Sequence, residues 1–181
     1  NVMVYVPNGT LTAISHGVSC DKCGTPSGDP ITATLTGTDG SFTLSNAPSG
    51  SNIPLVMQIG KWRRRVTIPA VTACTTGAVS ASLTRLPRHK TDGDDVSLPI
   101  MAVAAGGAHG WAYDFNVTER LQCLLRRMGV ADSEFTLPAG DGSVRMYNQS
   151  SAGGCNVLAT PWDTSCGATP SADTCNQITG I

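Results

Sequence analysis

Short runs in which apolar and polar residues alternate dominate the first half of the chain. VMVYV (2–6), ITATLT (31–36), SFTLS (41–45), IPLVMQI (53–59), WRRRVTI (62–68) and AVSASLTRL (78–86) are rich in Val, Ile, Thr and aromatic residues. They recur at roughly the 8–12-residue spacing of all-β sandwiches. Side chains alternate across a strand, so Phe42 and Leu44 share one face while Ile53, Leu55, Met57 and Ile59 share another. These residues form the expected core. On the next run Trp62, Arg64, Val66 and Ile68 lie together, opposite Arg63, Arg65 and Thr67; the arginines therefore point to both faces. Asp39-Gly40 is placed to close TLTGT onto SFTLS, and Gly60-Lys61 to close LVMQI onto WRRRV, with glycine free to take positive φ. The expected fold class is mainly β, an antiparallel β-sandwich over residues 1–87.

The pattern changes after residue 87. RHKTDGDDV (88–96) is polar and carries both signs of charge, which reads as a linker or long loop. Residues 97–115 are apolar and glycine-bearing without clean periodicity. NVTERLQCLLRRMGV predicts a helix over about 116–129: Asn116 and Glu119 fit a capping box, and Gly129 fits a left-handed stop. Val117, Leu121, Leu124, Leu125 and Met128 fall on one stripe, expected to dock on the sandwich or on a neighbour. Cys123 lies off that stripe. SVRMY reads as a last strand, closing a middle segment of 88–147. Residues 148–181 form a Gly/Ser/Thr-rich tail with Cys155, Cys166 and Cys175. A tail with so little apolar surface cannot offset its own ordering entropy, so cross-links or neighbours are expected to hold it.

Composition narrows the setting. The chain has 181 residues and a formal net charge of −1, with glutamate at 119 and 134 alone and lysine at 22, 61 and 90 alone. That balance gives no general attraction to nucleic acid or anionic membrane, and no stretch approaches the ~20 apolar residues of a membrane span. The chain opens directly on a strand without an initiator methionine, as expected if an export signal or an upstream segment precedes Asn1. Seven cysteines favour an oxidising compartment. Localisation is therefore expected to be extracellular or at the cell surface.

Cys20 and Cys23 pose the sharpest chemical question. A zinc site needs a second ligand pair, and Cys74 and Cys123 stand alone in sequence; His16 is near, but a fourth ligand would have to come from far away. A redox pair belongs at a helix N-terminus, and CGTPSGDP does not start a helix. The disulfide reading leads, with Cys20, Cys23, Cys74, Cys123, Cys155, Cys166 and Cys175 as candidates and Cys74 the natural partner of Cys20 or Cys23. His16, His89 and His109 have no nucleophile and carboxylate beside them in sequence, so no catalytic residue, metal or cofactor is assigned. Trp62, Arg63 and Arg65 are candidates for a ligand or interface, with Trp62 able to stack on a sugar and the arginines able to grip an anion. The competing and preferred reading is a solvated hairpin face, or an internal contact between this basic run and the acidic run Asp92, Asp94 and Asp95. Trp111 and Trp162 are further ligand or interface candidates, expected to anchor packing rather than sugar.

TGTDGSFTLSNAPSGSNIPLVMQIGKWRRRVTI resembles the carboxypeptidase regulatory-like domain, a transthyretin-like β-sandwich. The resemblance rests on Thr38-Asp39-Gly40, the inward Phe42 and Leu44, and the Pro48-Ser49-Gly50 connection with the strand after it. A wider stretch, from VYVPNG through VSCDKCGTPSG and TRLP to LQCLLRRMGVADSEFT, is similar to large uncharacterised secreted proteins of the myxobacterial type. The resemblance implies a transthyretin-like or Ig-like sandwich fold, and little about function, since such domains are appended to enzymes, adhesins and surface proteins alike. Three functions are consistent with these residues. The preferred one is a secreted, non-catalytic structural or interaction module whose partner is protein, as a homo-oligomer. The others are a module binding carbohydrate or another extracellular polymer, and the accessory part of a larger hydrolase. The cysteine reading makes a prediction: Cys20 and Cys23 are oxidised in the purified protein, and stoichiometric zinc by elemental analysis would overturn it.

Overall fold

The alternating runs of the first half pair into an antiparallel sheet. In the computed structural model, which describes residues 1–15, 17, 26–105, 121–122, 124–149 and 155–157, the chain divides into two units, Asn1–Pro99 and Ile100–Ile181. The first unit holds β1 (Met3–Pro7), β2 (Pro30–Leu35), β3 (Gly50–Ile59), β4 (Trp62–Val71) and β5 (Asp95–Ser97) in the spatial order β2-β1-β3-β4-β5. All four pairings are antiparallel. The mainly β, antiparallel class expected from the sequence is the class observed. The β3–β4 hairpin closes between Ile59 and Trp62, with Gly60 at φ +54, as its turn residues require.

One face of this sheet carries the main core: Val4, Val6, Leu55, Met57, Val66 and Ile68 are buried, and Phe42, Leu44, Leu83 and Leu86 pack on them from outside the sheet. The other face is smaller, with Tyr5 and Val56 buried against Leu11. Leu55 and Met57 are therefore inside as expected, and Phe42 and Leu44 are half-buried over them.

Two expected strands are not strands. Residues 41–45 make no ladder; the Asp39-Gly40 turn forms, with Gly37 N–H donating to the Ser41 carbonyl at 2.8 Å, but the chain then crosses the main core face. Residues 78–86 contain a short helix, α1 (Ala81–Thr84), capped by the Ser80 side chain. Ile59, expected inside, is exposed at the hairpin end. The polar run 88–96 is not a plain linker, since its last residues begin β5 and bring Asp95 opposite Arg65.

The second unit is built round β8 (Val144–Gln149). It pairs in parallel with β6 (Met101–Ala105) and with the two-residue β7 (Phe135–Thr136), and antiparallel with β9 (Cys155–Val157). A 3₁₀ turn, Asp132–Glu134, leads into β7. SVRMY is thus a strand as expected, and β9 is a tail strand that the composition concealed. Val103, Phe135, Val144 and Met146 are buried. Gly142 meets the Glu134 carbonyl and Thr136 so closely that no side chain fits there.

Residues 121–122 and 124–127 are helical. The helix stops where Gly129 predicts: Gly129 has φ +97, its N–H donates to the Arg126 carbonyl at 2.9 Å, and Val130 N–H donates to the Leu125 carbonyl at 3.1 Å. That pair of bonds is a Schellman stop. The expected stripe is split, however. Leu125 is buried, whereas Leu121, Leu124 and Met128 are exposed. Asn116, Val117, Glu119 and Cys123 lie outside the described residues.

Met57 is fully buried among branched neighbours, so Met57→Ala should destabilise the protein by about 2–5 kcal/mol. Ile59→Ala, at an exposed site, should change stability by less than about 0.5 kcal/mol. Urea denaturation monitored by circular dichroism checks both.

Candidate functional site: the basic hairpin

Strand periodicity divides the run Trp62-Arg63-Arg64-Arg65 between the two faces of the sheet. On the main core face, Trp62 is buried and its indole N–H donates to the Pro87 carbonyl at 2.9 Å. Arg64 lies beside it, only 6% exposed. Its Nη1 donates to the carbonyls of Ser82 at 2.9 Å and Arg85 at 3.2 Å, its Nε donates to the Asp92 carbonyl, and its Nη2 pairs with Asp92 Oδ1 at 3.2 Å. The Ser82 and Arg85 carbonyls lie in and just after α1, whose last turn leaves its acceptors without helical partners. Here one guanidinium collects them. Arg85 closes the cluster, its Nη1 bonded to Asp92 Oδ2 and its Nη2 donating to Oδ1 at 2.9 Å. The backbone N–H of Arg88 donates to Asp92 Oδ2 at 2.8 Å.

On the opposite face Arg63 does the same for a different loop. It is buried; Nη2 pairs with Asp95 Oδ1 at 2.8 Å, and Nη1 donates to the Thr12 carbonyl at 2.8 Å and to Ser27 Oγ at 3.4 Å. Lys61 Nζ reaches the carbonyls of Ser15, at 3.0 Å, and of Gly17. Tyr5 lies fully buried in this region, its hydroxyl donating to Gln58 Oε1 at 3.3 Å, and burial pushes its pKa up. Arg65 is half-buried on the same face, with Nε buried and without a hydrogen-bond partner among the described residues. Thr67 Oγ1 donates to Asp94 Oδ2 at 2.8 Å.

The acidic run therefore meets two arginines of the basic run, Asp92 with Arg64 and Asp95 with Arg63, while Asp92 also holds Arg85 and Asp94 accepts from Thr67. Of the two alternatives preferred from sequence, a solvated hairpin face or an internal contact with the acidic run, Arg63 and Arg64 follow the internal contact. A sugar or anion reaching this hairpin would find Trp62 covered and Arg63 occupied. Arg64 and Arg85 were not among the sequence candidates. The signal for Arg64 was its place in the apolar row Trp62, Val66, Ile68, where a charge needs a buried partner.

Burial by itself would raise the Asp92 pKa; hydrogen bonds from Arg85 and the Arg88 N–H, with the charges of Arg64 and Arg85, outweigh it and hold the carboxyl below its ordinary value. Burial lowers the Arg64 pKa, opposed by Asp92, and a guanidinium stays charged throughout the physiological range.

Cys74 is a free, exposed thiol at φ +57, and its expected partners, Cys20 and Cys23, lie outside the described residues. Cys155 sits in β9, its backbone paired with Gln149. Cys20, Cys23, Cys123, Cys166, Cys175, Trp111 and Trp162 lie outside the described residues, as do His16 and His109. His89 Nδ1 lies 3.0 Å from Thr91 Oγ1 in a loop. Among the described residues, no group of three or more His, Cys, Asp or Glu is placed to hold a metal ion, and no helix is long and apolar enough to cross a membrane. No protein-family model, curated protein or solved structure matches the chain.

Asp92 links this cluster to pH. Its folded-state pKa lies below its ordinary value, so its stabilisation is complete above the ordinary carboxylate range and is lost as pH falls through the lower, folded-state pKa. Stability should therefore decline on acidification below about pH 4. Asp92→Asn should flatten that decline while destabilising the protein at neutral pH by about 3–5 kcal/mol, because Arg64 is left buried without its counter-charge. Urea denaturation across pH, with Asp92→Asn and wild type, checks slope and offset together.

Proposed function

We propose that the protein is an exported, non-catalytic structural module that assembles with copies of itself. One observation carries this reading: apolar side chains stand exposed in rows on regular elements of both units. Ile31 and Leu35 do so along β2, and Leu121, Leu124 and Met128 do so along the helical residues of the second unit and the turn that ends them. Single exposed apolar residues are ordinary, whereas rows on one element mark surfaces that meet another molecule. Trp62, Arg63 and Arg64 of the basic hairpin are engaged inside the first unit, which favours a protein partner met through apolar contact over a sugar or anion held by Trp62 and Arg63. Export is supported by the seven cysteines and the scarcity of lysine and glutamate.

Sedimentation of the full-length chain over a range of concentrations, in reductant, tests the reading without contribution from cysteine bridges. Concentration-dependent association is expected. A chain that stays monomeric at every concentration overturns it.

A further inference from the structure

β2 is an outermost strand of the first sheet, and its two backbone sides differ. Thr36 N–H donates to the Val2 carbonyl at 2.9 Å. In an antiparallel ladder the N–H and C=O of one residue point to the same side and those of the next residue to the other. The backbone groups of Thr32 and Thr34 therefore face β1, and those of Ile31, Ala33 and Leu35 face outward. Among the described residues, the outward groups have no backbone partner. The same three residues carry the exposed side chains of the strand, with Ile31 52% and Leu35 56% accessible.

We infer that this edge is where the self-assembly proposed above takes place, and that its occupant is β2 of a second copy, antiparallel about a two-fold axis at Ala33. The inference rests on that reading and adds the surface and the register. The strand is complementary to itself: with Ala33 opposite Ala33, Ile31 faces Leu35 and Thr32 faces Thr34. Each outward residue then becomes one half of a hydrogen-bonded pair, apolar side chains meet on one face, and threonines meet on the other. Natural edges are guarded against such pairing by charge, proline, bulges or shortness. Residues 31–35 have no charge and no proline, and their register with β1 is regular from Met3↔Leu35 to Val6↔Thr32; the irregularity falls beyond, between Val6 and Pro7. The other edge of the sheet is guarded, since β5 has three residues and opens on Asp95, paired with Arg63. A two-fold axis uses the same patch on both subunits and closes the assembly at a dimer through this edge.

Sedimentation of full-length variants in reductant tests the site. Ala33→Lys places two ammonium groups opposite each other at the axis. Ala33→Pro removes an outward N–H and leaves the bonds to β1 in place, as proline at a sheet edge allows. Each should weaken dimerisation at least about tenfold with an unchanged circular dichroism spectrum. Ile59→Lys changes a comparably exposed apolar residue, 44% accessible, at the hairpin end and away from this edge; it should dimerise as wild type does. Should Ala33→Pro alter the spectrum, Ala33→Lys decides alone. Wild-type-like dimerisation of the Ala33 variants overturns the β2 site and leaves self-assembly standing. Equal weakening by Ile59→Lys also overturns the site. A monomeric wild type overturns both.

Discussion

The ion cluster of Arg64, Asp92 and Arg85 is the contact on which the first unit depends. A five-stranded antiparallel sheet must cover its apolar face, and here the described cover is mostly irregular chain, residues 42–44 and the end of α1 with residues 85–86, with no ladder of its own. Irregular chain brings backbone carbonyls toward an apolar core, where each needs a donor. Arg64 supplies several from one side chain, and Asp92 balances its charge and takes a bond from the Arg88 N–H. An ion pair buried in this way is not by itself a large stabiliser, since desolvation offsets most of its Coulomb attraction. Its effect is positional: it fixes where α1 and the loop after it sit, and so where Leu83 and Leu86 reach the core.

Adjacent arginines on a strand can serve opposite faces because the side-chain period is two. Arg63 and Arg64 use that geometry, one holding the loop that contains Thr12 and Ser27, the other holding α1. β5 is part of the same arrangement, since its first residue, Asp95, is the counter-charge of Arg63. The hairpin thus joins both covering layers to one strand. With so much of its charge turned inward, the first unit leaves β2 without a charged side chain.

The sequence makes some of this legible and hides the rest for identifiable reasons. Strong alternation in 2–6, 31–36, 53–59 and 62–68 marks β1 to β4 to within a few residues. Gly60 and Gly129 mark their turns because few other residues adopt positive φ there without strain. The matching of Arg and Asp runs was visible as opposite charge at a distance in sequence, though not which arginine meets which aspartate. α1 was hidden because AVSASLTRL has a strand-like composition; the Ser80 cap and the Arg64 guanidinium, a tertiary partner, make a helical turn of it. β5 was hidden because three residues next to an acidic run carry no pattern. The helical stripe was legible as periodicity, but periodicity does not say which of its residues meets a partner within the chain, and Leu125 alone of its described members is buried.

The free edge of β2 follows from a competition settled just after it. Asp39-Gly40 could have returned residues 41–45 as the next strand, giving the outward groups of Ile31, Ala33 and Leu35 a ladder. A backbone hydrogen bond that replaces one to water nets only about 0.5–1.5 kcal/mol, whereas full burial of a Phe or Leu side chain contributes about 1.5–3 kcal/mol. Kept in the plane of the sheet, Phe42 and Leu44 would lie one strand spacing beyond β2, about 4.8 Å further from the core. Crossing the face instead packs them against the cluster of Val4, Leu55 and Met57. Thr32 Oγ1 ties the departing chain to β2 by donating to the Ser45 carbonyl at 2.7 Å. Core burial therefore wins over pairing, and its consequence is an uncharged edge in regular register with β1, whose engagement by another strand needs little further loss of backbone freedom.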